Sequence, residues 1–407
     1  MLTDELLDAA GRRGDPVADT GILQHAQTAA PATPSDVVTH VARHLHLPDG
    51  SSPPVRAFLD ARPVPTVPTD RRRLDAGARF FADHALEIGS ALCCASLPAG
   101  YASPRGARVL TLTGELTREP KRRIIETAQL VLDVTTEGAL EPGARGYLDT
   151  RRVRLMHAAI RYFIANDPCV PRSPGLPAPS GGWSDGWGVP LNQEDLLGGM
   201  LTFTVTVFEA LDRLGVRYRS RDAEAYLHLW CVVASLLGVE PALLPQDRAE
   251  AEATAELIRS RQLGPSEDGR LLTDALVGAL DDYVFDRVKG VIPAAIHWFL
   301  GDPVAQHLGL QPNAWDDVFT GPVRWMSNVA RASGLGRDPF SRFVMRELGE
   351  SAIHGFMRSD RDGDGSRRDR PDDQLFRIPT HLGLKFRPGP AGFHALPGPR
   401  AVRRRLG

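Results

Sequence analysis

From about residue 71 onward, apolar side chains return at three- and four-residue spacing in one segment after another. Almost nowhere do they alternate as in a half-buried strand, and no Asn-Gly or Asp-Gly turn joins β-rich segments. A chain so patterned has to bury helix against helix. The first strong helix is predicted from about Arg71 to Ser96, with Leu74, Phe80, Phe81, Leu86, Ile88 and Leu92 near helical spacing and Pro98 as its stop. A second covers about Glu119 to Thr136, with Pro120 in its first turn and Gly138 beyond its end. A third runs from about Asp149 to Ala165, before Pro168. Asn192 opens the next, placing Glu194 and Asp195 at the positive end of the helix dipole, and it runs to about Leu214. Another spans about Asp222 to Leu237, and more follow near 249–262, 270–284, 290–300 and 315–333. The expected fold class is all-α, a single large helical domain, with no fixed-period repeat.

Domain limits follow from composition. Residues 1–34 are mostly small or polar and are expected to be a variable, loosely ordered N-terminal segment. The domain is set at 35–350: Ser35 caps a short helix, and a link through Pro63, Pro65 and Pro68 leads into the main body. Residues 351–407 are a C-terminal extension with a charged loop at Asp360–Asp373. The stretch Asn166–Pro190, rich in Pro, Gly, Ser and Trp, is long for a structureless loop and is a candidate pocket lid.

A formal net charge of −2 gives no footprint for nucleic acid or an anionic membrane. Lys occurs only at 121, 289 and 385, a bias toward Arg that fits a GC-rich coding sequence. The four cysteines, Cys93, Cys94, Cys169 and Cys231, form no C-x-x-C pair, so zinc, iron–sulfur and covalent haem motifs are missing. The start Met1-Leu2-Thr3-Asp4 has no basic and apolar leader, the Arg12-Arg13 pair has no apolar core behind it, and no run is long enough to span a bilayer. The expected setting is cytoplasmic, without stable membrane insertion. Oligomeric state leaves no signature.

The chemistry-bearing pattern lies in the third helix. Arg154, His157 and Arg161 stand at i−3, i and i+4 and so share one face, while Leu155, Met156, Ala159 and Ile160 make the rest apolar. Buried arginines need anionic partners. A haem meets that need, with propionates for the guanidiniums and iron for the imidazole. A structural His flanked by arginines paired to acidic side chains meets it equally. In the second helix Arg123 and Thr127 share a face: they either border a cavity, or the Thr hydroxyl bonds the carbonyl four residues back. His84, His228 and His297 read as core or structural residues. Asp360, Asp362 and Asp364 imitate a calcium loop, but Pro371 falls where the closing Glu is needed. Gly182-Trp183-Ser184-Asp185-Gly186 matches a nucleophile-elbow pattern within a Pro-rich loop, the wrong context for one.

At these residues the chain resembles the MpaB and latex-clearing-protein family of haem oxygenases, also grouped as DUF2236. Arg151-x-x-Arg154-Leu-Met-His157-Ala-Ala-Ile-Arg161 is similar to its haem-ligand helix. The likeness continues in order through Phe80-Phe81, Ser96-Leu97-Pro98 with Tyr101, Arg123 and Thr127 with Gln129–Asp133, Leu191–Leu197, and Tyr226–Trp230 to Val239. It covers about residues 70–245 and fades toward 340.

The resemblance implies a globin-like helical core around non-covalent haem b, with His157 as the axial iron ligand and Arg154 and Arg161 beside it. It implies dioxygen-dependent cleavage of an isoprenoid double bond to carbonyl products, with Arg123 and Thr127 on the distal side. Rubber-cleaving members commonly have Lys just before the matching Thr; here the residue is Glu126. Their distal acid has no counterpart in Arg105-Gly106-Ala107-Arg108, and Glu126 is the candidate replacement. A cytoplasmic member would act on a small hydrophobic, isoprenoid-like molecule. Two alternatives share the pocket: a haem monooxygenase or peroxygenase tailoring a natural product, and a non-catalytic haem- or lipid-binding helical protein.

Overall fold

Gly77 marks where the two longest-packed helices of the core meet. The computed structural model describes residues 2–28, 33–44, 52–61, 63–114, 120–175, 180–281 and 290–318. The described chain opens with α1 (Asp4–Gly11), α2 (Pro16–Thr28), α3 (Pro34–His44), α4 (Pro53–Asp60) and α5 (Arg71–Asp83). It continues with α6 (Ala85–Ala91), a π-helical turn at Leu92–Ser96, α7 (Leu97–Tyr101), α8 (Pro104–Thr113), α9 (Pro120–Val134) and α10 (Arg145–Asn166). After a short two-stranded element come α11 (Gln193–Thr202), α12 (Val205–Arg213), α13 (Ser220–Leu236), α14 (Arg248–Gln262), α15 (Glu267–Asp281), α16 (Val291–Leu300) and α17 (Asp302–His307). The fold is one large helical domain, as expected. α5 runs along α13, and a Cβ at Gly77 would sit 2.6 Å from the Ala225 carbonyl oxygen, so glycine sets that spacing.

The long predicted helix 71–96 is three pieces. It breaks at His84, which leaves helical geometry at φ −127°, and Pro98 then occupies the first turn of α7 instead of stopping a helix. Between them the π-helical turn accommodates an extra residue, a device often found beside functional sites. The helix predicted over 192–214 likewise divides at Phe203 and Thr204 into α11 and α12. Its start is as expected: Asn192 accepts from the Asp195 amide at 3.0 Å while Asp195 accepts from the Asn192 amide, a reciprocal cap.

The N-terminal expectation is corrected. Residues 4–28 form α1 and α2, whose Leu7, Ala10, Ala18 and Ile22 are fully buried, with α1 against α11 and α2 against α10. Their amphipathic pattern is short and diluted by Gly and Pro, which hid it. Two apolar clusters organise the interior. The larger spans α1 and α5–α17, α10 entering it through Tyr147. The smaller gathers α2, α3, α4 and Trp183 around Leu155, Met156, Ala159 and Phe163 of α10. Residues 319–333 of the last predicted helix, the charged loop 360–373 and the extension 351–407 lie outside the described residues. Among the described residues no helix is long and apolar enough to cross a membrane.

The loop 166–190 is tied down. Its strands β1 (Arg172–Ser173) and β2 (Trp183–Ser184) pair in parallel, Arg172 opposite Trp183. Trp183 is fully buried and its indole N–H donates to the Gly188 carbonyl at 3.0 Å. Ser184 is fully buried and donates to the Gly175 carbonyl, so the G-x-S-x-G match holds no exposed nucleophile.

Candidate active site

α10 carries His157 between two guanidiniums that α2 neutralises. Asp15 and Asp19, one helical turn apart at the start of α2, face Arg154 and Arg161. Arg154 gives Nε and Nη2 to the two oxygens of Asp15, a residue only 2% exposed. Arg161 donates Nε to Asp19 at 2.8 Å and Nη1 to the Leu191 carbonyl at 3.0 Å, while its buried Nη2 has no partner. The alternative of arginines paired with acidic side chains is therefore realised. Sequence reasoning misses these acids because the small and polar composition of residues 1–34 marks no helix; the signal is two carboxylates at i and i+4, Asp15 and Asp19, on either side of Pro16, matching arginines on α10.

His157 lies between these pairs. The protein surrounds it, yet it keeps some accessible surface, and its Nδ1 is buried with no hydrogen-bond partner. Burial, reinforced by the cations Arg161 and Arg123 and only weakly opposed by Asp15, pushes its pKa down to about 3. The imidazole is neutral throughout the physiological range, the form that ligates a metal.

α9 lies alongside α10. Glu126 is buried and paired with Arg122 at 3.0 Å and Arg123 at 3.3 Å; burial raises its pKa against the pull of both arginines. Thr127 donates its hydroxyl to the Arg123 carbonyl at 3.0 Å, the back-bond weighed from sequence. It also lines a cavity, toward which its oxygen can only accept.

That cavity has a volume of about 660 Å³. Its walls are mainly apolar, with Phe81, Leu97, Leu110, Ile124, Val131 and Leu201 among them. The π-helical turn presents Cys93 and Cys94 to it; burial pushes Cys93 up to about 11 and Cys94 higher still, so neither thiol is a nucleophile near neutral pH. Tyr101, Asp195 and Gln262 also reach it. Asp195, the one carboxylate among the described lining residues, is pushed up to about 6 by burial despite its ion pair with Arg105. His157, Arg123 and Glu126 do not line the cavity, but the charge of Arg123 acts on both Tyr101 and His157. Of loop 166–190 no described residue lines it; the adjoining Leu191 does.

His84 packs edge-on against Phe80, and His297 pairs with Asp302 and Asp316. His228 is partly buried on α13. None belongs to the cavity wall.

Residues 82–332 match the family model described as ER-bound oxygenase mpaB/B′ and rubber oxygenase, catalytic domain. The chain is similar to a rubber oxygenase from Streptomyces sp. (strain K30), 29% identical over 314 residues, covering 76% of this chain and 73% of that one. Its fold is similar to the structure of latex clearing protein LCP in the closed state, with a TM-score of 0.65 at 24% identity over 86% of this chain and 91% of the other.

Proposed function

The chain belongs to the mpaB/B′ and rubber oxygenase family and is an oxygenase, and from that premise we propose that it works through non-covalent haem b on a small, isoprenoid-like lipophile. One observation carries the cofactor assignment: His157 is neutral, enclosed and without a protein partner on Nδ1. An imidazole held so, with an unpartnered buried Arg161 Nη2 beside it, fits a planar anionic cofactor whose metal takes a nitrogen donor and which offers carboxylates. His157 would hold the iron. Arg161 would keep one donor for a carboxylate, while Arg154, fully engaged by Asp15, would hold α2 in place.

When bound, haem supplies the iron chemistry that activates dioxygen toward a carbon–carbon double bond. The chain's own residues do the rest. Apolar walls exclude water and orient the substrate. Arg123 supplies a positive potential at the α9 edge, and Thr127 an acceptor oxygen on the wall. Glu126, pinned by two arginines, stands where rubber-cleaving relatives commonly have Lys, and restrains Arg123. A cavity of about 660 Å³ lies within the ordinary size of a small-molecule site, about 300–1,000 Å³. By sequence limits we propose 35–350 as the oxygenase core, now with α1 and α2 packed on it.

The test is haem loading. Wild type expressed with haem supply should show a Soret band and about one haem b per chain by pyridine haemochrome. His157→Ala should lose it while remaining helical; full occupancy with an unchanged band in that variant would refute the assignment.

A further inference from the structure

The cavity has a polar end, and the structure places it. Tyr101, at the end of α7, is 2% exposed, lines the cavity, and its hydroxyl has no hydrogen-bond partner. Gln262, at the end of α14, also lines the cavity, and its buried Nε2 is unpartnered as well. The two lie at the same end, because the chain just after each is joined: the Gly264 amide donates to the Ala102 carbonyl at 3.0 Å. The neighbouring ion pairs agree. Glu194 takes Arg105 at 2.7 Å and Arg261 at 3.0 Å, locking the α8 start to the α14 end across α11. Asp195 lines the same end but is already engaged by Arg105 and the Asn192 amide, so it offers little to a ligand.

Two buried donors without acceptors, at one end of a mainly apolar cavity, are costly unless something accepts from them. We infer that the cavity's occupant is an amphiphile: a hydrocarbon body with one terminal acceptor oxygen, received by Tyr101 Oη and Gln262 Nε2. This rests on the reading of the cavity as a lipophile site and narrows its substrate class. A pure hydrocarbon would fill the apolar walls and leave both donors unpaired. A terminal hydroxyl or carbonyl oxygen satisfies them and fixes which double bond is held at which depth. Tyr101 and Gln262 are then specificity-determining residues.

The experiment is calorimetric titration of the full chain with farnesol and with the hydrocarbon farnesene, using wild type, Tyr101→Phe and Gln262→Met. Both substitutions keep shape and remove the donor. Circular dichroism checks the fold, and haem content is measured separately. Each variant is expected to weaken farnesol by on the order of tenfold and to leave farnesene unchanged. Equal losses for both ligands, no loss for either, or no binding of farnesol to wild type overturns the inference, the second outcome meaning that water satisfies the donors. The haem assignment rests on His157 and is read separately by haem content, so a variant that binds haem but shows no farnesol effect defeats this inference alone.

Discussion

Arg154 and Asp15 form a bidentate ion pair, Nη2 to Oδ1 at 2.8 Å and Nε to Oδ2 at 2.5 Å, that joins the middle of the histidine-bearing helix to the start of α2. Both groups are largely buried, so neither charge is easily left alone. Asp15→Ala is expected to cost about 3–4 kcal/mol in chemical denaturation. Adding Arg154→Met should recover much of it. A loss below about 1 kcal/mol would mean that water reaches Arg154.

Gly146 lets the first turn of α10 approach the end of α9, where a Cβ would collide with the Asp133 carbonyl. Both sides of the contact are backbone, so neither can step aside. Gly146→Ala is expected to destabilise by about 1–3 kcal/mol and to lower haem content with it. An unchanged melting temperature would show that the helices slide apart freely.

Asp133 and Asp149 form a buried carboxyl pair between α9 and α10. Burial, together with the charge of Asp149, pushes Asp133 up to about 7 against the pull of Arg145. The folded state then binds the extra proton more tightly than the unfolded one. Stability from this group is full below about pH 4 and is lost as pH rises through 7. Asp133→Asn should flatten that slope and leave only the part that buried Asp149 carries, and denaturation at pH 5 and pH 8 measures it.

His157 acts with the opposite sign. With its pKa pushed down to about 3, its contribution is present above the ordinary value of 6.5 and is lost as pH falls toward 3. The folded imidazole itself stays neutral between pH 5 and 8, so haem retention should show no midpoint from its protonation in that range. A Soret band that fades with a midpoint near 6.5 would contradict the buried, neutral imidazole.

Trp183 anchors the loop 166–190 inside the smaller core, with no exposed surface. Trp183→Ala is expected to cost about 3–5 kcal/mol. A surface lid hinged at both ends would tolerate the change, so a cost under about 1 kcal/mol would restore the lid reading.

Helix type and order were legible in the sequence because the 3.6-residue period of α5, α9, α10 and α13 is a property of each segment alone. The Asn192 cap was legible for the same reason, being a bond within one turn. The pattern Arg154, His157, Arg161 was readable as one helix face. Its partners were not, since Asp15 and Asp19 are more than a hundred residues away and belong to a helix whose apolar stripe is weak.

Local sequence thus determined the all-helical class, the family's ordered motifs and the histidine at their centre. Tertiary structure alone decided that α2 neutralises the arginines, that Trp183 holds its loop in a core, and that Tyr101 and Gln262 share one end of a cavity. The physical reason is range: helix periodicity and caps act within a few residues, whereas ion pairing, burial and cavity shape depend on which distant segments the packing brings together.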